Sequence, residues 1–98
     1  MKVLHISTAT GWRGGEQQAA YLINQLGNLQ TACFLLCPKD AAIMQRLNNS
    51  NCKIEVFQKG KALNLSLARK IKTLCKENQI DLIHTHDSHA HTAAFLSS

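Results

Sequence analysis

The sequence predicts an α/β fold: one parallel sheet of strand order 3-2-1-4 with helices on both faces. Three observations carry this. Short apolar runs alternate with segments of helical periodicity in the order β-α-β-α-β-α-β-α. The runs are apolar throughout, as strands covered on both faces must be. The chain has 98 residues, one proline and no linker or repeat, which suits a single small unit. In doubly wound sheets the first strand is central, the next two add to one side, and the fourth returns to the other.

The first strand is expected over Lys2 to Ser7, a short run containing Val3 and Ile6. Thr8 to Gly15 has three glycines and no periodicity, so it is a loop. Glu16 to Leu26 places Ala19, Ala20, Ile23 and Leu26 on one helical face, and Gly27 and Asn28 are good helix stops. Thr31 to Cys37 is a second apolar run ended by Pro38. Ala41 to Leu47 reads as a short helix behind Asp40 as N-cap. Lys53 to Phe57 is a third strand without clean alternation. Leu65 to Asn78 is the strongest helix, with Leu67, Ile71, Leu74 and Cys75 inward and Arg69, Lys70, Lys72 and Lys76 outward. Ile80 to His84 is a fourth strand, and a last helix starts at Ser88 or His89 and runs to Ser98.

Composition narrows the function classes. Eleven Lys and Arg against six Asp and Glu give a net charge of +5, which suits an anionic partner or a mildly basic surface. The aromatics Trp12, Tyr21, Phe34, Phe57 and Phe95 are not interleaved with the basic residues, so no nucleic acid partner is expected. Cys33 and Cys37 share a strand face but lie about 13 Å apart at about 3.3 Å per residue, too far for a disulfide. With Cys52 and Cys75 they read as free thiols of a reducing cytoplasm. No signal peptide or membrane span is present in the sequence, so membrane contact would be peripheral, at the inner face.

Ligands of such sheets bind at the carboxyl ends of the strands where the winding reverses, here between strands one and four. The loops leaving those strands are the most unusual in the chain. In the first, Gly14 and Gly15 run straight into a helix, whose free N–H groups and dipole attract phosphate, and Arg13 adds a planar donor fork. A tight turn without ligand would look the same, since the spacing matches neither established glycine-rich phosphate motif. The second loop holds His84, His86, His89 and His91, four of the five histidines, with Asp87 among them. One functional histidine suits acid–base or oxyanion chemistry near neutral pH. An H-x-H pair could also bind zinc, but no companion carboxylate or thiolate motif is evident, so no metal site and no resident cofactor are expected. A polar loop with exposed histidines is the plainest alternative. His5, inside the first strand, reads as a hydrogen-bonded core residue.

Lys2-Val3-Leu4-His5-Ile6-Ser7, then Gly14-Gly15-Glu16, then roughly 65 residues later Ile80-Asp81-Leu82-Ile83-His84-Thr85-His86, resembles the retaining glycosyltransferases of family four, which have the GT-B fold. The resemblance implies a Rossmann-like half: residues 1–98 as part of the N-terminal, acceptor-side domain, with the C-terminal donor-binding domain absent. It implies sugar transfer from a nucleotide-diphosphate donor to a glycan or lipid-linked acceptor, with retention. Gly14 and Gly15 would meet the diphosphate, with Arg13, Glu16, His84 and Asp87 also contacting substrate, and His86, or a histidine just after it, would lie near the transferred sugar and the acceptor. The form Gly11-Trp12-Arg13-Gly14-Gly15-Glu16 resembles bacterial enzymes of surface polysaccharide or lipopolysaccharide synthesis.

The chain departs from that family in lacking its pair of glutamates eight positions apart; only Glu16, Glu55 and Glu77 occur. The expectation is therefore a fragment, inactive alone and prone to self-association through an open strand-four edge. The alternatives are a free-standing module that binds a phosphorylated ligand without chemistry, and a metal-dependent hydrolase. The second is disfavoured because His84 and His86 end the fourth strand rather than the first.

Overall fold

In the computed structural model, residues 1–26, 32–48, 51–58 and 63–97 are described. The expected stops at Gly27 and Asn28, Thr31 at the head of the second strand, and Ser98 lie outside them. The strands are β1 (Lys2–Ile6), β2 (Ala32–Pro38), β3 (Cys52–Phe57) and β4 (Leu82–Thr85). The helices are α1 (Gly14–Leu26), α2 (Leu63–Asn78) and α3 (Ser88–Ser97), with a 3-10 helix at Ala42–Arg46. All strand pairs are parallel and the order is β3-β2-β1-β4, as the winding argument requires.

Alternation along the central strands sorts the core into two layers. Leu4, Ile6, Phe34 and Leu36 face α2 and α3, meeting Leu67, Ile71, Leu74, Ala90 and Ala93. Cys33, Leu35 and Cys37 face the other way, against Ala19, Ala20 and Ile23 of α1 and Ile43 of the 3-10 helix. Leu4, Ile6, Leu35, Leu36 and Ile71 have no exposed surface. Each such side chain contributes about 1.5–3 kcal/mol relative to leaving it in water. β3 is an edge strand whose Ile54 and Val56 are exposed.

The second helix differs from expectation. It is a five-residue 3-10 helix, its N-cap is Ala41 rather than Asp40, and no side chain caps it. The Ala41 amide instead donates to the Pro38 carbonyl at 3.1 Å, closing a turn that holds Lys39 and Asp40. Ala41 is buried against α1 and Ile43, and helices of only a few residues are commonly of the tighter 3-10 type. Pro38 ends β2 from within, paired with Phe57, where its missing N–H costs nothing. β4 starts two residues later than expected because Asp81 is used to set its register. The Asp81 amide donates to the Lys2 carbonyl and its carboxylate accepts from the Lys2 amide, both at 2.8 Å.

Candidate functional site

Two register facts build the site. His5 of β1 lies directly beside His84 of β4, so both side chains project from the α1 face. His86, two residues on, projects from the same face, and its amide donates to the Ile6 carbonyl at 2.9 Å. Three histidines far apart in sequence are thereby stacked: ring centroids are 4.2 Å apart for His84–His86, 5.2 Å for His5–His86 and 5.5 Å for His5–His84. His5 is fully buried, His86 half-buried and His84 exposed.

The His5 Nδ1 and His86 Nε2 atoms are 3.0 Å apart, so one donates and the other accepts. The remaining nitrogen of His5, Nε2, has no partner among the described residues. A buried N–H left unpaired is rarer in folded proteins than an unpaired acceptor. The favoured arrangement therefore puts the proton of His5 on Nδ1, donating to His86, and leaves His86 with its own N–H on Nδ1. Burial, helped by the adjacent His84 and His5 rings and opposed by Asp87, pushes the pKa of His86 down to about 4. Burial and His5 also push His84 below the ordinary imidazole value. Both rings are neutral at physiological pH, which makes them hydrogen-bonding groups rather than standing cations.

These rings form one wall of a cleft of about 610 Å³. The opposite wall is α1, which contributes Gly14, Gln17, Gln18, Tyr21 and Leu22. Gly14 faces open space, with nothing within 4 Å of where a Cβ would stand. A Cβ on Gly15 would lie 3.7 Å from the His86 carbonyl oxygen, so the start of α1 sits close against the end of β4.

The other expected site residues are placed differently. Glu16 turns back and accepts from the Arg13 amide at 2.7 Å, while the Arg13 carbonyl accepts from the Gln17 amide. That is half of a capping box with Arg13 as N-cap. The carboxylate thus occupies part of the positive helix end that phosphate would use. The Arg13 side chain is exposed and is not among the cleft residues.

Asp87 caps α3 and ties the two loops together. One oxygen accepts from the Thr8 hydroxyl at 2.7 Å and the Ala90 amide at 2.8 Å; the other accepts from the Thr8 amide at 2.7 Å. His89 and His91 are exposed on α3 and do not line the cleft.

Sequence reasoning missed His5 as a neighbour of the site and the α1 wall. The available signal was Gly14, Gln17, Gln18, Tyr21 and Leu22 recurring at helical spacing, off the apolar stripe. Behind the site, the Cys33 and Cys52 thiols, paired in register across β2 and β3, are 3.2 Å apart and all four cysteines are free. The hydrogen bond between them pulls the Cys33 pKa down against the effect of burial, with His5 assisting, while the same bond and burial push Cys52 up.

The family model described as glycosyl transferase 4-like matches residues 3–97, which span both loops and every element of the sheet. No curated protein and no solved structure matches the chain significantly.

Proposed function

The chain belongs to the glycosyl transferase 4-like family, and from that premise we propose that the cleft between α1 and β4 is its substrate site. The reaction is transfer of a sugar from a nucleotide-diphosphate donor to a glycan or lipid-linked acceptor, with retention of configuration. The observation that carries this is the meeting of Gly14, His84 and His86 in one cleft at the point where the sheet winding reverses.

In this proposal the free amides at the head of α1 receive the diphosphate, and the open face of Gly14 lets it approach the backbone. His86 presents an N–H to the sugar or acceptor and, being neutral, stabilises developing charge by hydrogen bonding. Tyr21, 68% exposed, offers an apolar platform on the opposite wall. Asp87 and Glu16 act through loop and helix geometry more than by touching substrate.

Among the described residues the cleft is walled by α1 and the end of β4. That supports a site completed by a further unit, and the 98 residues alone are proposed to bind weakly and not turn over. Surface polysaccharide or lipopolysaccharide synthesis at the cytoplasmic membrane face remains the proposed setting. Among the described residues no helix is long and apolar enough to cross a membrane.

A direct test is Gly14→Leu. Its Cβ meets nothing, so the fold should tolerate it, while the side chain fills the cleft. Calorimetric binding of a nucleotide sugar should weaken by about tenfold or more, the factor that about 1.4 kcal/mol of lost binding corresponds to. Unchanged binding would place the ligand elsewhere.

Self-association is proposed at β4, the sheet edge, where Leu82 is 50% and the nearby helical Leu96 is 47% exposed. Sedimentation should show a concentration-dependent dimer that Leu82→Lys abolishes; a monomer at high concentration would contradict it.

A further inference from the structure

His5, His84 and His86 each offer a ring nitrogen, and these three atoms lie within 4.8 Å of one another. We propose that the three histidines form a binding site for a divalent transition ion of the zinc, cobalt or nickel class. The inference goes beyond glycosyl transfer and does not depend on it.

Several features fit. Imidazole is a favoured ligand for these ions, whereas magnesium and calcium want oxygen donors that this cluster does not supply. A zinc–nitrogen bond of about 2.0–2.1 Å puts two ligand nitrogens roughly 3.3 Å apart at a tetrahedral angle. The His5 Nδ1 and His86 Nε2 atoms, at 3.0 Å, are already near that separation. An ion would take the place of the single proton they share. His5 would then carry its proton on Nε2, the buried atom that now has no partner among the described residues.

His84 completes the set by moving. Its ring lies face to face with His86, an arrangement in which the lone pairs do not converge. His84 is exposed at the rim of the cleft, so its side chain has room to rotate about χ1 and χ2 while His5 stays fixed in the core. Three protein ligands leave a fourth position for water or a ligand oxygen, the arrangement of an open rather than a structural site. Here that position would face the cleft lined by Gly14 and Tyr21. The sequence hid the third ligand because His5 is about 80 residues away and becomes a neighbour only through parallel pairing of β1 with β4.

The test is titration of the untagged, chelator-stripped chain with Zn²⁺ by calorimetry, and with Co²⁺ by visible absorption, at a pH of about 7.5, where imidazoles are neutral. The expected result is one ion per chain and the intense visible bands of low-coordinate cobalt. His84→Ala, at an exposed position, should keep the fold by circular dichroism and weaken binding by about tenfold or more. His89→Ala with His91→Ala should leave affinity unchanged. In imidazole-detected nitrogen spectra of the wild type, the His5, His84 and His86 rings should shift with Zn²⁺ while those of His89 and His91 do not. No saturable one-to-one binding, binding indifferent to His84→Ala, or binding that follows His89 and His91 would each overturn the proposal.

Discussion

His86 is the residue at which fold and chemistry are most tightly coupled. Its ring is hydrogen-bonded to His5 and stacked on His84, and Asp87 counters part of the fall in its pKa that burial causes. The unfolded chain protonates this ring below its ordinary value of about 6.5, the folded chain only near 4. Between those values the unfolded state holds more protons, so stability rises with pH. The contribution is complete above about 6.5 and is lost as pH falls toward 4. His84, shifted in the same direction, adds to it. Thermal unfolding followed by circular dichroism should therefore show Tm falling between pH about 6.5 and 4.5, with a shallower fall in His86→Gln. A wild-type Tm constant over that interval would show that the ring is not desolvated in the folded protein.

At the scale of elements, helix ends decide the geometry around the site. α1 begins with Glu16 reaching back to Arg13, and α3 begins with Asp87. α2 ends with Gln79 at φ 55°, a left-handed conformation that favours glycine. The Ile80 amide donates to the Cys75 carbonyl at 3.1 Å, and both side chains pack against the α2 core layer. This is the Schellman end of a helix, with its accompanying apolar contact. Gln79→Gly removes a Cβ penalty of about 1–2 kcal/mol. It adds roughly 0.4–1 kcal/mol of chain entropy to the unfolded state. A net gain of about 0.5–1 kcal/mol is expected, raising Tm by roughly 2–8 °C in a domain of this size. Loss of stability in Gln79→Gly would mean that the Gln79 side chain makes a contribution its backbone position does not reveal.

The same scale shows what the sequence could and could not reveal. The four strands were legible because each is a run of apolar or β-branched residues between turn signals. The 3-10 helix was not, because Ala41 to Leu47 has apolar spacing compatible with either helix type over so short a span. The Cys33–Cys52 contact was not legible either. Spacing within β2 excludes Cys33–Cys37, but pairing across strands depends on register, which no local pattern states.

At the scale of the molecule, the winding of the sheet was legible in the sequence. Order 3-2-1-4 brings the exits of β1 and β4 together, and the glycine loop and histidine loop do meet there. The membership of the site was only partly legible. His84 and His86 line the cleft, while the Glu16 carboxylate accepts from the Arg13 amide at the helix end and Asp87 joins the loops. Those roles depend on which way side chains turn, and sequence spacing does not fix that. Tyr21 and Gln17 went unnoticed because the apolar face of Ala19, Ala20 and Ile23 fixes the rotation of α1 but does not say what lies across from its other side.

We propose that the α1–β4 cleft receives the diphosphate of a nucleotide sugar. The most direct test is a titration of the nitrogen-labelled chain with nucleoside-diphosphate sugars, and with pyrophosphate alone, followed by amide resonances. Saturable shifts are expected at Gly14, Gly15 and Gln17 and at His84 and His86, weak in affinity and shared by pyrophosphate at the glycine amides. Shifts confined to another surface, such as the groove of Lys39, Phe57 and Lys70, or none at millimolar ligand, would contradict it.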